Sequence, residues 1–144
     1  MSYLLDTNVI SEIRKQERSD RNVHRWWSGV RDSELHLSVL VLGEIRKGIE
    51  GVRGKDPRQA EALESWLRAV YKAFEGRILG VDSAVAEEWG HMNARRPLPI
   101  LDGLLAATAK VHGLTLVTRN VGDVADSGAP LLNPFAAEPR KAGT

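Results

Sequence analysis

Cysteine is absent from the 144-residue chain, which excludes disulfides, thiolate zinc sites and a cysteine nucleophile, and fits a reducing compartment. An excess of charge of one sign is also lacking. The 20 Lys and Arg stand against 19 Asp and Glu, so a net charge of +1 makes no whole-molecule case for a nucleic-acid partner. Long apolar runs are missing too: the stretch Leu35 to Leu42 is broken by His36 and falls far short of the roughly 20 residues of a membrane helix. The first residues show no basic region followed by an apolar core and a small-residue cleavage site. The expectation is a cytoplasmic protein with no membrane partner.

What is present is enough apolar content, 42%, for one sizeable core. A single domain is expected over residues 1–135, followed by a loosely ordered tail, 136–144. Short apolar runs alternate with longer helical patterns, which predicts an α/β fold with a mostly parallel sheet and helices on both faces. Strands are expected at Tyr3-Leu5, Glu34-Ser38, Ile78-Val81, Thr115-Thr118 and, weakly, Leu131-Leu132. Between them helices are expected at Val9 to Lys15, Asn22 to Val30 with Asn22 as cap, Val39 to Val52, Pro57 to Phe74, a segment capped by Asp82 that stops before Pro97, and Asp102 to His112 closed by Gly113. The basic clusters at Arg14 to Arg25 and Arg46 to Arg58 read as solvated helix faces. Trp26, Trp27, Trp66 and Trp89 read as core or subunit packing, and the scattered His24, His36, His91 and His112 as structural or surface residues.

In an open parallel sheet, ligands bind beyond the carboxyl ends of the strands where the strand order reverses. With order 3-2-1-4-5 the first and fourth strands are neighbours at that reversal, and Asp6 after one would meet Thr118-Arg119-Asn120 and Asp123 after the other. Each acid has a plain alternative. Asp6 and Asp102 suit helix N-caps, and Glu44 taken alone suits an exposed surface position. Gathered together, they would repel one another and raise each other's pKa unless a cation neutralised them. Oxygen ligands without His or Cys point to a hard divalent ion, Mg²⁺ or Mn²⁺, and such a site hydrolyses phosphodiesters. Asp6, Glu44 and Asp102 are the candidate catalytic and metal-binding acids, with Asp123 as a fourth, and Thr7, Asn8, Thr118 and Asn120 as hydrogen-bonding neighbours.

The runs LLDTNVISEI, GEIRKGI, LPILDGLLAATAKVHGLTLVTRN and LLNPF, in this order over nearly the whole chain, resemble the PIN-domain ribonucleases, and within them the VapC-type toxins with their FitB-like branch. The resemblance implies a PIN-like fold and a Mg²⁺- or Mn²⁺-dependent endoribonuclease that cuts transfer, ribosomal or messenger RNA and arrests growth. It also implies a homodimer neutralised by a small DNA-binding antitoxin, in a heterotetramer or larger assembly. Asp6, Glu44 and Asp102 match the family's first three acids; the fourth matches less closely, with Asn120 where many members carry an acid and Asp123 where others do. Three other readings stand beside this one. A receiver-like signalling module would use Asp82 but needs a Lys after the fifth strand, where Asn133-Pro134 stands. A catalytically silent RNA-binding scaffold would favour loss of one of the three acids, and a deoxyribonuclease would share the metal chemistry.

Overall fold

The computed structural model describes residues 1–137; the expected tail, apart from Ala136 and Ala137, lies outside the described residues. Five strands form one parallel sheet: β1 (Tyr3–Leu5), β2 (Leu35–Ser38), β3 (Ile78–Leu79), β4 (Thr115–Val117) and β5 (Leu131–Leu132), in the order β3-β2-β1-β4-β5. Six α-helices accompany them: α1 (Thr7–Ile13), α2 (Arg21–Ser28), α3 (Val39–Arg53), α4 (Pro57–Ala73), α5 (Ser83–Arg95) and α6 (Ile100–His112). Neighbouring residues of a strand point to opposite faces of a sheet. Leu4 and Leu5 are both fully buried, as are Leu116 and Val117 to within 1%, so both faces of the sheet are covered.

The expected strand order and both faces of helices are observed, and the differences lie at element ends. The helix expected from Asn22 is capped instead by Asp20, whose carboxylate accepts the N–H groups of Asn22 and Val23. An aspartate directly ahead of the helix reaches two otherwise unpaired donors, which Asn22, already inside the first turn, cannot do. β3 ends at Leu79 rather than Val81, because it is an outer strand and only Leu37 and Ser38 of β2 pair with it. The last helix starts two residues early, behind Pro99, so Asp102 sits in the first turn and is not its cap. Gly113 closes the helix in the left-handed region at φ 67°, as expected.

Three helix pairs cover the sheet, of which α5 and α6 pack most extensively against each other. In α6 the buried face is Gly103, Leu105, Ala106, Ala107, Thr108 and Ala109. Such small side chains let its backbone approach closely, and at Gly103 the approach is strict: a Cβ there would meet Cδ1 and Nε1 of Trp89 at 3.2 Å. All four tryptophans are partly buried and packed against the core.

Candidate functional site

β1 and β4 are paired neighbours, with Leu5 opposite Val117 and the Asp6 N–H donating to the Val117 carbonyl at 2.9 Å. The chain therefore leaves both strands at the same edge, the reversal point of the sheet. Asp6 is only 7% exposed and uses both carboxylate oxygens. Oδ1 accepts the N–H of Thr7 at 2.7 Å and so caps α1, while Oδ2 accepts the Thr118 hydroxyl at 2.7 Å. The cap and the site are thus two duties of one side chain. Thr118 in turn accepts the Asn120 N–H at 3.1 Å, and Asn8 accepts the Arg119 N–H at 3.2 Å. These bonds tie the turn after β4 to the start of α1. The Thr7 hydroxyl is buried and has no hydrogen-bond partner; its contribution to Asp6 comes from the backbone.

Glu44 is the sixth residue of α3 and is half-buried, set between the core residues Leu42 and Ile45. Asp102, also half-buried, projects from the first turn of α6. Partial burial, then the carboxylates of Asp6, Asp123 and Glu44 in that order, push the Asp102 carboxyl above its ordinary range. Asp102 thus lies within reach of the charges of three acids drawn from three other segments. Asp123 is exposed in the tight helical turn Val121–Ser127. Asn120 is exposed and joins the network through its backbone N–H.

Among the described residues, no three His, Asp or Glu side chains stand close enough together to hold a metal ion between them. An all-oxygen donor set without His fits a hard dication that keeps several of its waters. The donor chemistry therefore suits Mg²⁺ or Mn²⁺. A cleft of about 490 Å³ lies elsewhere, between α1, α2 and α4, lined by Ile10, Trp27, Trp66 and Phe74 among others, and includes none of these acids. Sequence reasoning missed the Trp89 ring seated on Gly103 beside Asp102; a glycine directly after the acid, heading a helix of small residues, was the available signal.

A buried acid held by a threonine across the reversal point of a parallel α/β sheet, with a half-buried acid whose carboxyl is raised by that acid and by two others, is the arrangement the fold presents. The PIN-domain family profile matches residues 3–122, and the chain belongs to the PIN-domain family. It is 31% identical over 139 residues to Toxin FitB of Neisseria gonorrhoeae, covering 92% of this chain and 97% of that protein. It is likewise 31% identical over 138 residues to VapC ribonuclease Y4jK of Sinorhizobium fredii, covering 92% and 96%. The solved structure of FitAB bound to a DNA fragment superimposes with a TM-score of 0.84 at 28% identity, covering 94% of this chain and 97% of that one.

Proposed function

We propose that this protein is the toxin of a toxin–antitoxin pair and acts as a divalent-metal-dependent endoribonuclease, with Asp6, Glu44 and Asp102 as its catalytic and metal-binding acids. The observation that carries the reading is the buried Asp6 carboxylate at the β1–β4 reversal, held by the Thr7 N–H and the Thr118 hydroxyl, beside which the Asp102 carboxyl is raised by Asp6, Asp123 and Glu44. It is supported by near-full-length similarity to a protein named a toxin and to one named a ribonuclease. Asp123 is the fourth acid of this proposal, nearer the solvent than the other three.

A bound Mg²⁺ or Mn²⁺ would supply an activated water and charge neutralisation at the phosphate. The chain's own work is positional. Thr118 and the Thr7 N–H each hold one oxygen of the Asp6 carboxylate, which fixes its orientation before any substrate arrives. Glu44 and Asp102 are carried on helices anchored in the core, by Val41, Leu42, Ile45 and Ile49 in α3 and by Leu105, Ala106 and Ala109 in α6, which fixes the acids more firmly than a loop would. The antitoxin partner, a small DNA-binding protein, follows from the same similarity and from the FitAB complex on DNA. A homodimer, joined with antitoxin into a heterotetramer or larger assembly, completes the proposal, and exposed Ile100 and Leu101 beside Asp102 supply apolar surface for it.

The test is cleavage of total RNA by purified protein with Mg²⁺, with EDTA, and by Asp6→Asn, with single-stranded DNA of matched sequence alongside. Asn keeps an oxygen to cap α1 while removing the charge, so the variant folds. RNA cleavage confined to wild type with Mg²⁺ is expected, with a loss of at least about 100-fold in the variant. Equal cleavage in all arms, or none across a range of RNAs, refutes the nuclease reading; cleavage of DNA alone turns it into a deoxyribonuclease.

A further inference from the structure

One cation beside the proposed site is held in place yet unspent. The Arg119 guanidinium carbon lies 4.3 Å from the ring centroid of Phe135, a close cation–π stack. Phe135 is itself anchored at three points. Its N–H donates to the Asn133 side chain at 3.0 Å, its carbonyl accepts the Asn22 side-chain amide at 2.8 Å, and its ring packs against the core beside buried Pro134. The Arg119 backbone is pinned from the other side by Asn8. Among the described residues, the Arg119 side chain donates no hydrogen bond and makes no ion pair. Arg14 stacks comparably, on Trp66 at 5.6 Å, but it stands on the cleft between α1, α2 and α4, away from the acids.

A guanidinium stacked through its face keeps its edge, with its N–H donors, free for a planar or tetrahedral oxyanion. Holding the long side chain on a ring also removes much of the rotamer entropy that binding would otherwise cost. Arg119 follows directly on Thr118, the residue that holds Asp6. We propose that Arg119 is a substrate-binding residue that grips a phosphate of the RNA strand flanking the cut, and that Phe135 is the positioning residue that presents it. This rests on the ribonuclease reading above, and it assigns the LLNPF segment a role: a buttress, tied to α2, for the cation at the proposed site.

Two measurements keep the two readings separable. Affinity for a fluorescent single-stranded 12-mer RNA is measured in EDTA across a salt series, and cleavage of the same RNA is measured with Mg²⁺. Arg119→Gln should lower the slope of log affinity against log salt by about 0.7, the value for one lost phosphate contact on a single strand. It should raise KM about 5- to 20-fold with a smaller change in kcat. Phe135→Leu should raise KM by a smaller factor, and Phe135→Tyr, which keeps the ring, should restore it. Arg58→Gln, which removes an equal charge from α4, should leave the KM unchanged. If wild type binds RNA without cleaving it and Arg119→Gln still lowers the salt slope, the ribonuclease reading fails while Arg119 stands as a contact to an RNA phosphate. If wild type cleaves and Arg119→Gln matches it in slope and KM, or if only antitoxin affinity falls, the assignment is overturned. A KM for Phe135→Tyr as poor as that for Phe135→Leu removes Phe135 from it.

Discussion

Two regions of this molecule gather charge in opposite ways. On the α3–α4 hairpin, Arg46 pairs with Glu50 and Glu64, and Arg53 pairs with the same two acids, with Arg53 to Glu64 at 2.6 Å. These hydrogen bonds pull the Glu64 pKa down to about 2. At the sheet reversal the acids have no such partners among the described residues, and the Asp102 carboxyl is pushed the other way. The hairpin has settled its charges by pairing and gains modest stability from a surface network. The sheet reversal keeps like charges close at a cost in stability, as expected where a cation is to be bound. Unbalanced charge at half-buried positions, rather than charge as such, is what singles out the proposed site.

The sharpest way to break this contrast is Asp102→Asn. Cleavage should fall by at least about 100-fold, while the metal-free protein should melt about 1–3 °C higher as repulsion is relieved; loss of both activity and thermal stability would mean the acids do not strain one another. Thr118→Val comes next. It keeps the branched shape but leaves Asp6 Oδ2 without its donor, so activity should drop about 10- to 100-fold and urea stability by about 1–2 kcal/mol. An unchanged rate would detach Thr118 from the site.

Gly103→Ala probes the scaffold under Asp102. The new methyl meets the Trp89 ring at 3.2 Å, so overpacking of about 1–3 kcal/mol outweighs a helix-propensity gain of about 1 kcal/mol. A net loss should appear as a lower urea midpoint, together with weaker cleavage as the first turn of α6 shifts. The smallest effect belongs to the hairpin. Glu64 has a folded pKa of about 2 against an ordinary 4.5. Its stabilisation is therefore complete above pH 4.5 and is lost as pH falls from there toward 2. Glu64→Gln should be slightly less stable than wild type above pH 4.5, with the gap closing on acidification and no change in RNA cleavage.

Much of this was legible in the residues because parallel strands buried on both faces read as short apolar runs, and Tyr3–Leu5 and Leu131–Leu132 match the observed strands residue for residue. Helix ends were less legible, since several polar residues compete for each cap: Asp20 takes the place expected for Asn22, and Pro99 displaces Asp102. Asp6, Glu44 and Asp102 were identifiable as an unusual set, whereas the Phe135 stack on Arg119 spans 16 positions. No local pattern encodes that contact.

The sequence by itself determined the alternation of elements, the family resemblance and the inventory of acids, because period, caps and residue chemistry are properties of short stretches. It left Asp6 equally a cap and a ligand. Only the tertiary structure decided that it is a cap also held by Thr118, close enough to Asp102 to raise that carboxyl, and that Arg119 rests on a ring from the far end of the described chain. Those facts depend on which strands are neighbours, and strand adjacency is settled by the packing of the whole core rather than by any segment within it.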